Sequence, residues 1–430
     1  MKNVMASAGL LALGAVGVQS AHAQLMAGAE KPWSVSGTLR GFYDDNYNTA
    51  PDGPERRSSL GFELRPSVAV NLPLDQTTLN ASYIYSMRYY DDRPKNKADH
   101  SHDFEVLLVH NFSERYSLDV SDSFVIAQEP SLIDPVNSLP IRSNGNNIRN
   151  DGAINFHATI TPLLGIVLGY DNTLYDYDQS GPGSFAAELN RMEHLVILDT
   201  RWQIFKQTTG VVGYRFGAVD HTSNDSLNPN PLNLNPDPNF VSPSIRNNRS
   251  HAVYVGADHS FRRDLSGSVR VGVQYTDYYN DSASGTSLSP YVDLSLNYTY
   301  MDGGTLTLGF HDAHNQTDQT GFIPGGPPIS TTGAGAVQDQ ESQVLYGTVV
   351  QKITPKLTGT LTGQFQNSTY VKGVLDGKAD QFFLLGLNLT YQFTHYLSGE
   401  VGYNYDDLES DIPGRGYDRN RVYVGITGSY

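Results

Sequence analysis

The chain has 430 residues, no cysteine, 27 tyrosines and a formal net charge of −16 at neutral pH. So acidic a protein repels polyanions, which sets nucleic acid aside as a partner, and without cysteine it is not held together by disulfides. Charged residues are 17% of the chain, below the roughly 25% of soluble domains. After the first 23 residues no apolar stretch approaches the roughly 20 residues of a membrane-spanning helix, and mean hydropathy is −0.38, so any crossing of a membrane has to be made by strands, whose alternating faces average out in hydropathy.

The first 23 residues read as a secretory signal peptide: Lys2, an apolar run from Val4 to Val18, and Ala21-His22-Ala23 before the expected cleavage site. The mature chain, 24–430, is expected to form a single β-barrel domain. Its first strand begins near Trp33, which leaves no room for a separate N-terminal plug.

From there period-2 alternation recurs along the chain. Leu60, Phe62, Leu64, Val68 and Val70 share one face of their segment, with Glu63, Arg65, Ser67 and Ala69 on the other. The pattern predicts strands near 33–45, 58–71, 77–91, 102–112, 116–128, 148–161, 164–177, 190–202 and 208–220. It continues near 250–261, 265–278, 288–301, 304–315, 341–352, 356–370, 379–393, 396–407 and 419–430, about eighteen strands in all. Phe104 to Phe112 and Glu341 to Gln351 alternate poorly. Asp122 falls on the apolar face of Leu118 and Val120, so a bulge or change of register is expected beside it.

The connections alternate in length. Short ones such as Ser113-Glu114-Arg115 and Met301-Asp302-Gly303 are interleaved with long ones at 129–147, 221–249 and 316–340. Bacterial outer-membrane barrels combine short periplasmic turns with long outer loops in this way. A parallel β-helix needs a short fixed repeat that is absent here, and a sandwich has no use for so many tyrosines near strand ends. The fold class is all-β, a transmembrane antiparallel up-and-down barrel.

The last strand, 421–430, places Val422, Val424, Ile426 and Tyr430 on one face. It resembles the C-terminal assembly signal of Gram-negative outer-membrane proteins, with Tyr in place of the usual Phe and Gly428 where a bulkier residue is common. Signal peptide, alternation and terminal strand together resemble the porin-like outer-membrane β-barrels. That resemblance implies placement in the outer membrane, contact with membrane lipid and lipopolysaccharide, and insertion by the barrel-assembly machinery. It leaves self-association into a homo-oligomer open.

With the apolar face toward lipid, the pore-lining candidates are Arg40, Glu63, Arg65, Arg88, Glu105, Asp119, Asp171, Arg215, Asp258, Arg270, Asp293, Glu400 and Arg421, with His157, Asp199 and Arg201 on the same face. Such residues either pair across the wall or form a charged constriction. Arg40, Arg65 and Arg88 suggest a local positive ladder. Phe42, Tyr90, Tyr254, Tyr278, Tyr291 and Tyr423 are placed inward. By analogy with the third outer loop of general porins, residues 129–140 could fold into the lumen. Many aspartates, Asp44, Asp281, Asp406 and Asp411 among them, fall in outer loops and are expected to be solvated.

Nothing indicates an enzyme, a cofactor or a metal. His311 and His314 point to opposite faces of a strand, His100 and His102 share one, and no G-x-S-x-G or H-E-x-x-H motif occurs. The expected function is a water-filled channel for passive diffusion of small hydrophilic solutes. The alternative is a barrel for export or assembly of surface polysaccharide, or a structural barrel without an open pore.

Overall fold

The computed structural model describes residues 31–127, 146–229, 237, 239–281, 285–321 and 335–430. Eighteen strands follow one another: β1 (Trp33–Asp44), β2 (Ser59–Pro73), β3 (Thr77–Tyr90), β4 (Ala98–Asn111), β5 (Tyr116–Ala127), β6 (Asn147–Thr161), β7 (Leu164–Tyr177), β8 (Arg191–Phe205) and β9 (Thr208–His221). The other half comprises β10 (Asn248–Arg262), β11 (Leu265–Asp277), β12 (Thr286–Met301), β13 (Gly304–Asn315), β14 (Asp339–Lys352), β15 (Leu357–Val371), β16 (Ala379–Thr394), β17 (Leu397–Ser410) and β18 (Tyr417–Ser429). Each pairs antiparallel with its neighbour, and β18 pairs back onto β1 with Leu39 opposite Ile426, so the sheet closes without a free edge. Among the described residues helix is confined to the connections, as in α1 (Phe185–Leu189) between β7 and β8.

The outward face carries the apolar residues. On β16 these are Phe383, Leu387, Leu389, Tyr391 and Phe393, all exposed, and on β18 they are Val422, Val424 and Ile426. In a bilayer this exposed band is the lipid contact, which satisfies the wall without a packed hydrophobic core behind it. Tyr430 exchanges backbone hydrogen bonds with Val35 across the seam, at 2.8 and 3.0 Å. Register shifts occur beside the short turns, at Thr159/Thr161, Gln203/Phe205, Ser260/Arg262, Tyr298/Met301 and Gln392/Thr394. One such turn contains Gly303, whose φ of 73° suits a residue without Cβ.

Two stretches of poor alternation have local causes. Leu107 turns inward opposite Asn80 and Ser121. Glu341 and Gln343 pair with His314 and Asp312 at the loop end of β13 and β14, where the strands carry polar residues on their outward parity.

The bulge expected at Asp122 is absent. β5 keeps regular register on both sides, with Asp122 opposite Val106 in β4 and Gly152 in β6, so its side chain shares the outward face of Leu118, Val120 and Phe124. One oxygen of the carboxylate is satisfied where it stands. Asn150 donates to it at 2.9 Å, and Gly152 has no side chain to crowd it.

Candidate pore wall and outer mouth

Strand register gathers the first group of charges at the seam. Arg40 stands opposite Glu63, and Glu63 stands opposite Arg88. On its other side Arg40 faces Gly425, which in turn faces Glu400. Because Gly425 has no side chain, Arg40 reaches across it and pairs with Glu400 at 2.9 Å as well as with Glu63 at 3.0 Å. Arg88 lies 3.4 Å from Glu63. The ring of Tyr423 lies 4.3 Å from the Arg40 guanidinium. Arg65 sits in the field of Arg40, Arg88, Glu63 and Glu400 and donates no hydrogen bond to a described residue. The positive ladder is therefore a cluster in which Arg40 and Arg88 are paired and Arg65 supplies the excess positive charge.

A second group lies across the barrel on β8 to β13. Asp258 accepts from Arg201 and, at 2.6 Å, from Arg270. Arg270 stands opposite Asp293, which lies 3.6 Å from His311. Tyr254 donates to Asp199, and Arg215 lies over the rings of Tyr254 and Tyr291 at 5.5 and 5.2 Å. Asp171 faces inward from β7 opposite Ala153, Asp119 contacts His157 at 3.1 Å, and Glu105 faces inward opposite Ser82. Arg421 stands apart from both groups: with Arg419 it holds Asp44 at the loop end of the seam.

Inward aromatic rings lie flat on the wall over glycines in their own cross-strand pairs. Phe42 faces Gly61, Tyr254 faces Gly213, Tyr346 faces Gly309 and Tyr423 faces Gly402. At each of these glycines a Cβ would fall far inside contact distance of the ring. Sequence alternation put Phe42, Tyr254 and Tyr423 inside. It could not show that the glycine on the next strand is the socket, because that pairing depends on register.

Several aspartates expected in solvent are buried. Asp44, Asp281 and Asp406 expose 0%, 2% and 3% of their surface. Asp44 ends β1 and accepts from the guanidiniums of Arg419 and Arg421, each at 2.7 Å. Asp281 accepts from Gln338 at 2.9 Å. These carboxylates are spent on tying strand ends and loops together.

Above the wall the long loops lean over the mouth. Arg246, between β9 and β10, is completely buried and donates to the carbonyl oxygens of Glu188 in α1 and Thr317 in the β13–β14 connection, at 2.8 and 2.7 Å. Burial lowers its pKa to about 10, so it stays cationic at neutral pH. Arg415, between β17 and β18, forms a bidentate pair with Asp318 at 2.9 Å for both bonds and reaches Asp380 of β16 at 2.7 Å. Its carboxylate partners more than offset burial and hold its pKa well above the ordinary value. Leu227, Val241, Ile245 and Ala336 pack together from two of these loops. A small cavity is bounded both by Leu189 and Arg191 on the β8 side and by Ser368, Phe382 and Arg415 on the β15–β18 side. Those sectors lie on opposing parts of the barrel, so the loops span its mouth instead of following its rim. In sequence Arg246 and Arg415 are single cations in polar loops, with no motif to mark them.

Residues 1–23, read as a signal peptide, and residues 129–140, read as a candidate constriction loop, lie outside the described residues. His100 and His102 share the outward face and contact Tyr85 and Tyr83 at 2.7 and 2.9 Å. His311 and His314 take opposite faces, His311 opposite the inward Asp293 and His314 contacting Asp339 at 3.1 Å.

Residues 329–430 match the family model described as "Putative beta-barrel porin 2". The match spans β14 to β18 of a closed 18-strand antiparallel barrel, the architecture of an outer-membrane protein. No curated protein matches the chain. Among solved structures it is similar to the siderophore receptor PirA from Acinetobacter baumannii, at 11% identity over 92% of this chain and 80% of that one, with a TM-score of 0.46. It is also similar to OccAB4 from the same organism, at 13% identity over 93% and 99% of the two chains, with a TM-score of 0.43. The outer membrane protein OpdK from Pseudomonas aeruginosa is similar at 11% identity over 93% and 99%, with a TM-score of 0.43.

Proposed function

We propose that the barrel conducts small hydrophilic solutes by diffusion through a charged, water-filled lumen, with the outer loops restricting entry. The observation that carries this reading is the inner wall itself, lined by two ion-pair groups on opposing sides with Arg65 left over as a cation. A barrel of 16 to 18 strands leaves an aqueous channel unless something fills it, and a wall of ion pairs is compatible with water where an apolar filling would not be.

Export of a surface polysaccharide would call for aromatic faces open to the lumen. Here Phe42, Tyr90, Tyr254, Tyr278 and Tyr291 are all buried, and Tyr423 is covered by Arg40 on its face and seated over Gly402. The rings serve as wall, which favours small solutes over a glycan. Reconstitution into planar bilayers and swelling of solute-loaded liposomes test the reading. Discrete conductance steps with swelling by small neutral sugars are expected, and a barrel that inserts but neither conducts nor swells would overturn it.

A further inference from the structure

Asp122, Gly152, Asn172 and His194 are consecutive register partners across β5, β6, β7 and β8. They form one row on the outward face, with Asn150 beside it donating to Asp122. Apolar residues border the row on every strand: Val120 and Phe124 on β5, Ile148 and Ile154 on β6, Leu174 on β7, Met192 and Val196 on β8. The row is therefore a polar inclusion within the band that faces lipid, where an ionised side chain is unfavourable and is retained for function.

We propose that this row is a docking surface for a second copy of the same chain. Three features favour a like partner. Asp122 has a carboxylate that only accepts, and one of its oxygens is unused among the described residues. His194 receives Tyr170 Oη and Asn172 Nδ2 at its Nδ1, at 2.8 and 3.1 Å. An amide nitrogen can only donate, so Nδ1 accepts and the ring proton sits on Nε2, which has no hydrogen-bond partner among the described residues. The row thus carries both halves of a charge-assisted hydrogen bond, and two copies meeting face to face can satisfy each other. Gly152, with no side chain, provides a recess at the centre for close approach of two walls. Such a contact is isologous, the same patch on both subunits. A lipid headgroup would explain a polar fringe at the band's edge but not a row with apolar residues on both sides of it.

The absence of cysteine from the chain makes the test direct. A single cysteine is introduced at Ile154→Cys, an exposed residue bordering the row on β6, or for comparison at Leu387→Cys on the exposed face of β16, and outer membranes are treated with a short bis-maleimide. The expected result is a product of twice the chain mass for I154C, several-fold stronger than for L387C, and its loss when Asp122→Leu is added. Heat-modifiable gel mobility verifies that each variant is a folded barrel; if D122L does not assemble, Asn172→Leu carries the same test. Equal products at both sites, a product of another mass indicating a different partner, or a yield unmoved by D122L and N172L would overturn the proposal.

Discussion

At Gly402 the wall has a side chain's worth of space, and the ring of Tyr423 occupies it. Adding one methyl there pushes the ring toward the lumen or strains the strand, and overpacking of this kind costs about 1–3 kcal/mol. Gly402→Ala is therefore expected to lower the temperature at which the barrel loses its compact gel mobility and to reduce single-channel conductance. Gly37→Ala, at a glycine with open space around it, should change neither. The two faces of β16 offer a sharper contrast. Leu387 is exposed on the lipid face, whereas Asn388 faces inward and donates to Glu400 at 3.2 Å and Tyr423 at 2.9 Å. Leu387→Arg should impair assembly, since an arginine near the midplane costs roughly 2–4 kcal/mol. Asn388→Arg should still fold and alter conductance; equal tolerance of both would contradict the assigned faces.

The loops are the element where pH should be felt. Glu188 in α1 lies among Arg246, Asp318 and Thr320, and burial, reinforced by Asp318, raises its pKa to about 7 despite the opposing pull of Arg246. A carboxyl raised in the folded loops binds its proton more tightly there than in opened ones. Its stabilisation of the loop packing is complete below the ordinary glutamate value of about 4.3 and is lost as pH rises through about 7, a change on the order of 3 kcal/mol. Proteolysis of the outer loops in intact cells should therefore be slower at pH 5 than at pH 8, and conductance should rise over the same interval. Glu188→Gln should keep the loops in the low-pH behaviour throughout. Arg415 anchors a different loop: Arg415→Ala leaves Asp318 and Asp380 as neighbouring carboxylates without their cation. It should make the β17–β18 connection cleavable at every pH while the barrel stays folded.

For the molecule as a whole, net charge and local field point in opposite directions. The chain is strongly acidic, yet a solute at the seam meets Arg65 beside a group whose other cations are already paired. The local field governs passage. Arg65→Gln alone should move the reversal potential in a salt gradient toward cation preference. Replacing Arg40, Arg65 and Arg88 together should move it further by uncovering Glu63 and Glu400. Most of the shift should vanish at 1 M salt, where the Debye length is about 3 Å. An unchanged potential at low salt would place the conduction path away from the seam.

The eighteen strands, their facing and the alternation of short and long connections were legible in the amino-acid sequence, because each follows from period-2 patterning and local turn chemistry acting over a few residues. The inward placement of the charged candidates followed from the same parity. Which of them meet did not, since Arg40 reaches Glu400 only because closure of β18 onto β1 brings residues from opposite ends of the chain together across Gly425. Parity also placed Asp122 toward lipid, and the expectation of a bulge failed because Asn150 and Gly152, distant in sequence, make a regular strand acceptable there. The loop roof held by Arg246 and Arg415 was invisible for the same reason: its contacts join loops dozens of residues apart, and no local pattern encodes a partner that only tertiary structure brings within reach.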